Sequence, residues 1–126
     1  MECYFGTFAL PDQNSLDKTA VVAFHIPEIG IRFKAPFDAV DHCHSAYASL
    51  LALLEFIDSN QKYFAKHGYQ IFGNNLAVIN QVNKVQDSPE LYRHLLEKAL
   101  GYRDKYGFSL QWVPSTGNSA LSGLLD

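Results

Sequence analysis

The sequence predicts an α/β protein whose sheet has five strands, an antiparallel three-stranded meander plus two parallel strands, with helices on its faces. The first third of the chain is rich in β-branched and aromatic residues and is broken by short turns. The remainder alternates helical periodicity with short apolar segments. The resulting order, β-β-β-α-β-α-α-β-α, joins the meander to the parallel strands through helical crossovers. A chain of 126 residues fits one domain, which we place at 1–126.

The meander is predicted from three segments and the turns between them. Residues 3–10 are aromatic and apolar and stop at turn-forming residues 11–15. Residues 19–26 are β-branched, and residues 27–30, Pro-Glu-Ile-Gly, form a tight connection. Residues 31–37 alternate apolar with basic side chains, a period of two that is typical of a half-buried strand.

Helical spacing governs most of the remaining chain. Ser45 is predicted to cap a helix that runs to about residue 60. A short strand at 69–72 precedes a brief helix capped by Asn74 or Asn75. A longer helix is expected to begin with Ser88 as cap and Pro89 at its first position, and Gly107 is expected to end it. Residues 108–113 form the fifth strand, with Trp112 predicted in the core, and 118–125 a final helix.

Several of these segments match a family pattern in order and spacing. Residues 4–7, Tyr-Phe-Gly-Thr, stand where the family has Tyr-Phe-Asp-Gly. Residues 45–50, Ser-Ala-Tyr-Ala-Ser-Leu, replace Ala-Glu-Tyr-x-Ala-Leu, and residues 73–82 follow Asp-Ser-Gln-Leu-Val-Val-Asn-Gln-Val with one extra residue. Residues 112–122 are similar to Trp-Val-Pro-x-x-x-Asn-x-x-Ala-Asp. The chain thus resembles ribonuclease H of the short bacterial and archaeal type, which implies a ribonuclease H-like fold.

The resemblance also implies where catalysis would be located. The family uses four carboxylates to hold two divalent ions that activate water for phosphodiester hydrolysis. Carried over position by position, these carboxylates fall on Gly6, Ala46, Gly73 and Ser122, none of which is acidic. Magnesium takes oxygen ligands and is usually anchored by carboxylates. We therefore expect no catalytic residue, no cofactor and no nuclease activity.

Charge and the lost carboxylates together bear on nucleic-acid binding. The formal net charge is −3, and the ten lysines and arginines are scattered along the chain rather than clustered. Tight binders usually concentrate cations on one face. Losing four negative charges nevertheless removes repulsion toward phosphate. We therefore predict a binding or scaffold module with weak affinity for a duplex or RNA–DNA hybrid, contacted through Thr7, Asn74, Asn75 and Asn118.

An alternative function is self-association without nucleic-acid binding. Leu53 and Phe56 widen the apolar face of the first helix, and Tyr63, Phe64 and Tyr69 add further aromatic surface. Exposed apolar patches often mark interfaces, so a homodimer through the first helix is one interpretation. An ordinary core made of the same residues is the other. An enzyme that uses an unrecognised centre is a third, distant option.

The remaining motifs are weak. His42 and His44, with Asp41 or Cys43, are candidate zinc ligands, but a polar loop with Asp41 or Ser45 as helix cap is the favoured interpretation, and no metal is expected. Neither a Gly-x-Ser-x-Gly elbow nor a phosphate-binding loop occurs in the sequence. Without a signal peptide or an apolar run of about 20 residues, we predict a cytoplasmic protein with reduced cysteines and no membrane partner.

Overall fold

A five-stranded mixed sheet forms the centre of the molecule, as the sequence predicts. The structure, a computed structural model, describes residues 1–9, 19–39, 41–64 and 68–122. The strand order is β3-β2-β1-β4-β5, with antiparallel β1–β2 and β2–β3 pairs and parallel β1–β4 and β4–β5 pairs. The strands are β1 (Glu2–Ala9), β2 (Thr19–Ile26), β3 (Ile31–Asp38), β4 (Gln70–Gly73) and β5 (Ser109–Trp112).

Helices cover one face of this sheet. They are α1 (His42–Ser59), α2 (Gln61–Phe64), α3 (Leu76–Val82) and α4 (Arg93–Tyr106), and α2 was not predicted. The helix α1 packs across β1 and β2 and also contacts α4. In the described part of the chain, no helix is long and apolar enough to cross a membrane.

The wide apolar face of α1 packs against other residues of the same chain. Leu53 is fully buried, and Phe56 packs against Phe24 and Phe64 with ring centroids 5.4 and 6.1 Å apart. Phe64 and Tyr69 are buried as well, and the side chain of Tyr63 lies outside what the structure describes. These residues fill an ordinary core, which was the second of the two interpretations.

Two glycines end elements as predicted, because each adopts the left-handed conformation that other residues avoid. Gly30 has φ of 67° and closes the turn Pro27–Ile29 before β3, and Gly107 has φ of 65° and terminates α4. The alternation along β3 is present only in part: Ile31, Ala35 and Phe37 are half-buried, but Phe33, an apolar residue of the predicted pattern, is 39% exposed.

The predicted helix starts need correction. Asp41, rather than Ser45, caps α1, since its carboxylate accepts a 2.9 Å hydrogen bond from the His44 amide. Ser45 lies one turn inside the helix and donates to the His42 carbonyl instead. Ser88 caps no helix, because its hydroxyl is directed to the Pro89 carbonyl. A 3₁₀ turn, Glu90–Tyr92, precedes α4.

The C-terminal region also differs from its prediction. In place of a helix from residue 118, it forms two 3₁₀ turns, Ser115–Gly117 and Ser119–Leu121, and residues 123–125 of the predicted helix lie outside the described residues. We call Ser119–Leu121 the C-terminal turn. Trp112 was predicted in the core but is 50% exposed, because it ends β5, the strand at the edge of the sheet.

Replacing Asp41 tests the revised cap. Asp41→Ala is expected to lower the free energy of unfolding by about 1 kcal/mol at neutral pH, since a helix amide loses its acceptor. Burial raises the pKa of Asp41, but the hydrogen bonds it accepts outweigh burial and hold that pKa below its usual value. A depressed pKa contributes stability above the unfolded value of about 3.9, and this contribution is lost as pH falls through the folded value.

Urea unfolding at several pH values measures both effects. Asp41→Asn keeps a capping oxygen but cannot ionise, so its deficit relative to wild type is expected to shrink below about pH 4. Ser45→Ala is the control and is expected to change stability by less than about 0.5 kcal/mol. A larger loss from Ser45→Ala than from Asp41→Ala would restore the original cap assignment.

Candidate functional site

The carboxyl ends of β1 and β4 lie side by side, where the resemblance locates the metal centre. In this parallel pair Phe5 is the register partner of Gly73. Side chains alternate between the two faces of a strand, so Phe5 and Gly6 point in opposite directions. Phe5 belongs to the core that α1 covers. Gly6 and Gly73, which are two of the four matched positions, therefore face opposite sides of the sheet.

The space beside Gly73 is filled by a phenyl ring. A Cβ atom added at Gly73 would overlap the Phe5 ring, with Cζ and Cε1 as the nearest atoms. Phe5 is 1% exposed, so the ring has little room to withdraw. An aspartate at residue 73 does not fit the chain as it is packed. Phe5 is thus the β1 residue that occupies the place a carboxylate partner of residue 73 would need.

The space above Gly6 is filled from the other side. A Cβ atom there would lie 2.9 Å from Asn118 Nδ2 and 3.0 Å from two carbons of Leu121. Asn118 and Leu121 are 3% and 1% exposed, so both belong to the packed interior. The C-terminal turn consequently rests directly on the backbone of β1, an approach that requires a glycine at residue 6.

The other two matched positions do not complete a centre. Ala46 is buried in the first part of α1, and Ser122 is exposed at the last described residue. Among the described residues, no group of three or more histidine, cysteine, aspartate or glutamate side chains is placed to hold a metal ion. Within the described residues, this end of the sheet offers no cluster of anionic ligands, and the space beside Gly6 and Gly73 is filled.

Amide and hydroxyl groups join the strand ends instead. Asn118 donates from Nδ2 to the Phe5 carbonyl at 2.8 Å and to Asn74 Oδ1 at 3.2 Å. Asn74 donates in turn to the Ser115 hydroxyl at 2.9 Å. Asn118 Oδ1 also accepts from the Ala120 amide at 3.0 Å, which fixes the C-terminal turn. We call Asn74, Ser115 and Asn118 the amide network.

The four residues predicted to contact nucleic acid are mostly engaged within the protein. Asn118 is buried in the amide network, and Asn75 caps α3 through a 3.0 Å bond from the Val78 amide. The Thr7 hydroxyl is buried and has no hydrogen-bond partner within the described residues. Asn74 is half-buried at the surface. The exposed groups at this end are Trp112, Ser115 and Thr116, and the sequence analysis did not assign them to the site.

The two histidine candidates do not belong to a metal-binding group among the described residues. His42 is exposed, whereas His44 packs between Phe37 and Tyr92, with ring centroids 4.9 and 6.0 Å away. Both residues belong to the first turn of α1 and not to the predicted loop. Of the described cysteines, Cys3 and Cys43 are free thiols, and burial raises the pKa of Cys3 to about 12.

A histidine–serine pair lies elsewhere, under the C-terminal turn. His25 Nδ1 and Ser119 Oγ are 2.8 Å apart, and Arg32 donates to the Ser119 carbonyl at 2.8 Å. Partial burial, together with the Arg32 guanidinium, holds the pKa of His25 below its ordinary value. A catalytic base must accept a proton during reaction, and the adjacent cation disfavours that. We interpret the pair as an anchor for the turn.

Comparison with solved structures identifies the fold. RNase H1 from Halobacterium salinarum shares 14% identity with a TM-score of 0.69, over 95% of this chain and 91% of that one. LC11-RNase H1 in complex with RNA/DNA hybrid shares 12% identity with a TM-score of 0.71, over 98% and 99%. The N-terminal RNase H domain of rv2228c from Mycobacterium tuberculosis shares 12% with a TM-score of 0.69, over 96% and 88%. No family model and no curated protein matches the sequence. The chain has the ribonuclease H-like fold that its motifs predict.

Proposed function

We propose that the protein is a catalytically inactive ribonuclease H-like domain that serves as a binding or scaffold module with weak affinity for nucleic-acid duplexes or hybrids. The observation that carries the proposal is the packing of the Phe5 ring against Gly73, at the strand ends where the family holds its ions. Two-metal hydrolysis places ions at the attacking and leaving oxygens of the phosphate, and carboxylates hold those ions. A phenyl ring and an amide network supply none.

The proposed nucleic-acid binding is supported by the similarity of the fold and by the charge of the surface at the strand ends. The fold matches a neighbour described in complex with an RNA/DNA hybrid, over nearly the full length of both chains. As far as the described residues extend, the surface at the strand ends is uncharged, with exposed hydroxyls on Ser115 and Thr116 beside the half-exposed ring of Trp112. Neutral donors contact sugar and phosphate oxygens without repelling them, although they release no counterions. The expected affinity is therefore low.

A homodimer through α1 has less support. The residues that suggested it, Leu53 and Phe56, are buried or packed against neighbouring rings of the same chain. A shallow apolar groove remains beside Phe33, which is 39% exposed. Light scattering that gives a dimer, and a monomer after Phe33→Glu, would favour this second function over the first.

Binding and cleavage of a labelled RNA–DNA hybrid test the proposal on the purified protein. With Mg²⁺ or Mn²⁺ present, we expect no product above the buffer control. Fluorescence anisotropy at low salt is expected to give a Kd of about 10 to 100 µM, weakening as salt rises. Product formation that EDTA abolishes would overturn the inactive assignment. Absence of binding at about 100 µM protein would overturn the nucleic-acid role.

A charge substitution locates the binding surface. Thr116→Glu adds a negative charge to the exposed turn at the strand ends and is expected to weaken hybrid binding about threefold or more. Ser59→Glu, at the exposed C-terminal end of α1, is the matched control and is expected to leave the Kd unchanged. Equal effects from the two variants would show that binding does not use this end of the sheet.

A further inference from the structure

The face of the sheet opposite α1 is largely uncovered in the described part of the chain. Among the described elements, the C-terminal turn is what packs on this face, over β1 and β2. Parallel strands are usually covered on both faces, because their side chains are apolar on both. Here the open face instead carries planar and polar side chains at half-exposed and exposed positions.

Five of these side chains form one row across the whole sheet. The register pairs Arg32 with His25, His25 with Tyr4, Tyr4 with Phe72 and Phe72 with Gln111, so the row contains one residue from every strand. Directly paired residues project to the same side of a sheet. Arg32 and Gln111 are exposed at the two ends, and the three rings between them are half-buried. We call these five residues the planar row.

The members of the planar row already stack with one another. The Tyr4 and Phe72 rings have centroids 5.2 Å apart and an interplanar angle of 25°. The Arg32 guanidinium lies against the His25 ring, with Nη2 within 3.4 and 3.5 Å of its nitrogens. Both residues also bond Ser119 at 2.8 Å, so the C-terminal turn covers this end of the row. The outer face of Phe72 is directed toward β5, an edge strand, where Gln111 is exposed. A flat ligand can extend the stack at this end.

We propose that the open end of the planar row, at Phe72 and Gln111, binds an unpaired base of single-stranded nucleic acid by extending the Tyr4–Phe72 stack, on a surface separate from the one assigned to hybrids. Aromatic platforms bind bases without sequence preference, since every base has a π-face.

The charged side chains on the open face determine near which edge of the sheet the phosphates lie. Arg32 and Lys34 project from β3 onto this face, and both are exposed. Glu2 projects onto the same face from β1, the central strand, and accepts a 3.3 Å hydrogen bond from the Tyr4 hydroxyl, so a negative charge lies near the middle of this face. The phosphates are therefore attracted to the β3 side. Two cations give a modest affinity with a shallow salt dependence.

Anisotropy with fluorescein-labelled dT12 tests this proposal. We expect a Kd in the range of about 10 to 100 µM at low salt and no measurable binding to an abasic oligomer of the same length. Tyr4→Leu and Phe72→Leu keep apolar bulk but remove a ring, and each is expected to weaken binding at least about fivefold. Phe33→Leu removes an exposed ring from the opposite face and is the matched control, with an unchanged Kd.

A further variant tests the charge contribution without the risk that the protein fails to fold. Lys34→Gln is at an exposed position and is expected to reduce the slope of log K against log salt by about 0.7 while the melting temperature stays unchanged. Equal binding of dT12 and the abasic oligomer, full binding by both leucine variants, or no binding by wild type would each overturn the proposal. Thr116→Glu separates the two surfaces, since it is expected to weaken hybrid binding and not dT12 binding.

Discussion

Gly73→Ala is expected to lower the free energy of unfolding by about 3 kcal/mol, because the added methyl group overlaps the Phe5 ring. The ring is buried between β1 and the helices, and its displacement would disturb the core around it. For a domain of this size the change corresponds to a fall in melting temperature of about 10 °C. Thermal and urea unfolding of the purified variant measure both quantities.

Gly101→Ala is the matched control. Gly101 is exposed within α4, and a Cβ atom there meets nothing within 4 Å. Alanine is the better helix former, so this variant is expected to gain about 0.5 to 1 kcal/mol. Replacing glycine with alanine is thus expected to lower the free energy of unfolding at residue 73 and to raise it at residue 101. The difference between the two changes measures the lack of space around residue 73 and not an effect of alanine itself.

A double-mutant cycle tests whether the Phe5 ring causes the destabilisation by Gly73→Ala. Phe5→Leu shortens the side chain that covers Gly73, so Gly73→Ala is expected to cost at least about 1 kcal/mol less in the Phe5→Leu background than in wild type. Additive effects would show that Phe5 is not the obstacle. In that case the Phe5 ring would not be what excludes a carboxylate from residue 73, and the inactive assignment would lose its main support.

The order of elements and several of their ends were predictable from local patterns. The period of two along β3 and the glycines at residues 30 and 107 act within a few residues, so the chain alone specifies them. The cap of α1 was left open between Asp41 and Ser45, because both are good capping residues one turn apart. Choosing between them depends on how far α1 extends, which local sequence does not determine.

The candidate site was harder to predict, because it depends on pairing between distant strands. Matching Tyr4 and Phe5 to the family motif placed the lost carboxylate at Gly6. The β1–β4 register instead sets Phe5, not Gly6, beside Gly73. Alternation within β1 was visible in the sequence, but the register of a parallel pair is determined by tertiary packing. The planar row was missed for the same reason, since its members come from five separate strands.

Trp112 and the C-terminal region show a second limit. A tryptophan in an apolar strand favours the core, yet β5 lies at the sheet edge and leaves the ring half-exposed. Residues 118–122 have helical spacing, but Asn118 uses its side chain to cap a 3₁₀ turn and to reach β1. A side chain that bonds distant backbone overrides local propensity.

Asn118→Asp is expected to be the most informative change in the amide network, because it is nearly isosteric and replaces a donor with an acceptor. The new carboxylate would face the Phe5 carbonyl and Asn74 Oδ1, both acceptors, at a site that is 3% exposed. Breaking such a contact leaves a buried charge without a partner. We expect a loss of about 3 to 5 kcal/mol at neutral pH.

The stability loss caused by Asn118→Asp should increase as pH rises, whereas a loss caused by a packing defect should not depend on pH. Burial among acceptors raises the folded pKa of the introduced aspartate above the unfolded value of about 3.9. Stability is then retained below the unfolded value, where the protonated acid donates as the amide does. It declines by about 1.4 kcal/mol per pH unit up to the folded pKa. Urea unfolding of variant and wild type at matched pH values gives this difference.

Two neutral variants separate charge from lost contacts. Asn118→Ala removes the donor without adding charge, so its deficit of about 2 to 3 kcal/mol is expected to be constant with pH. Asn80→Ala, at a half-buried position on α3, is expected to change stability by less than about 0.5 kcal/mol. A flat pH profile for Asn118→Asp would mean that water or a cation reaches its carboxylate. The strand ends would then be open to ions, and the packing that excludes a metal centre would be in doubt.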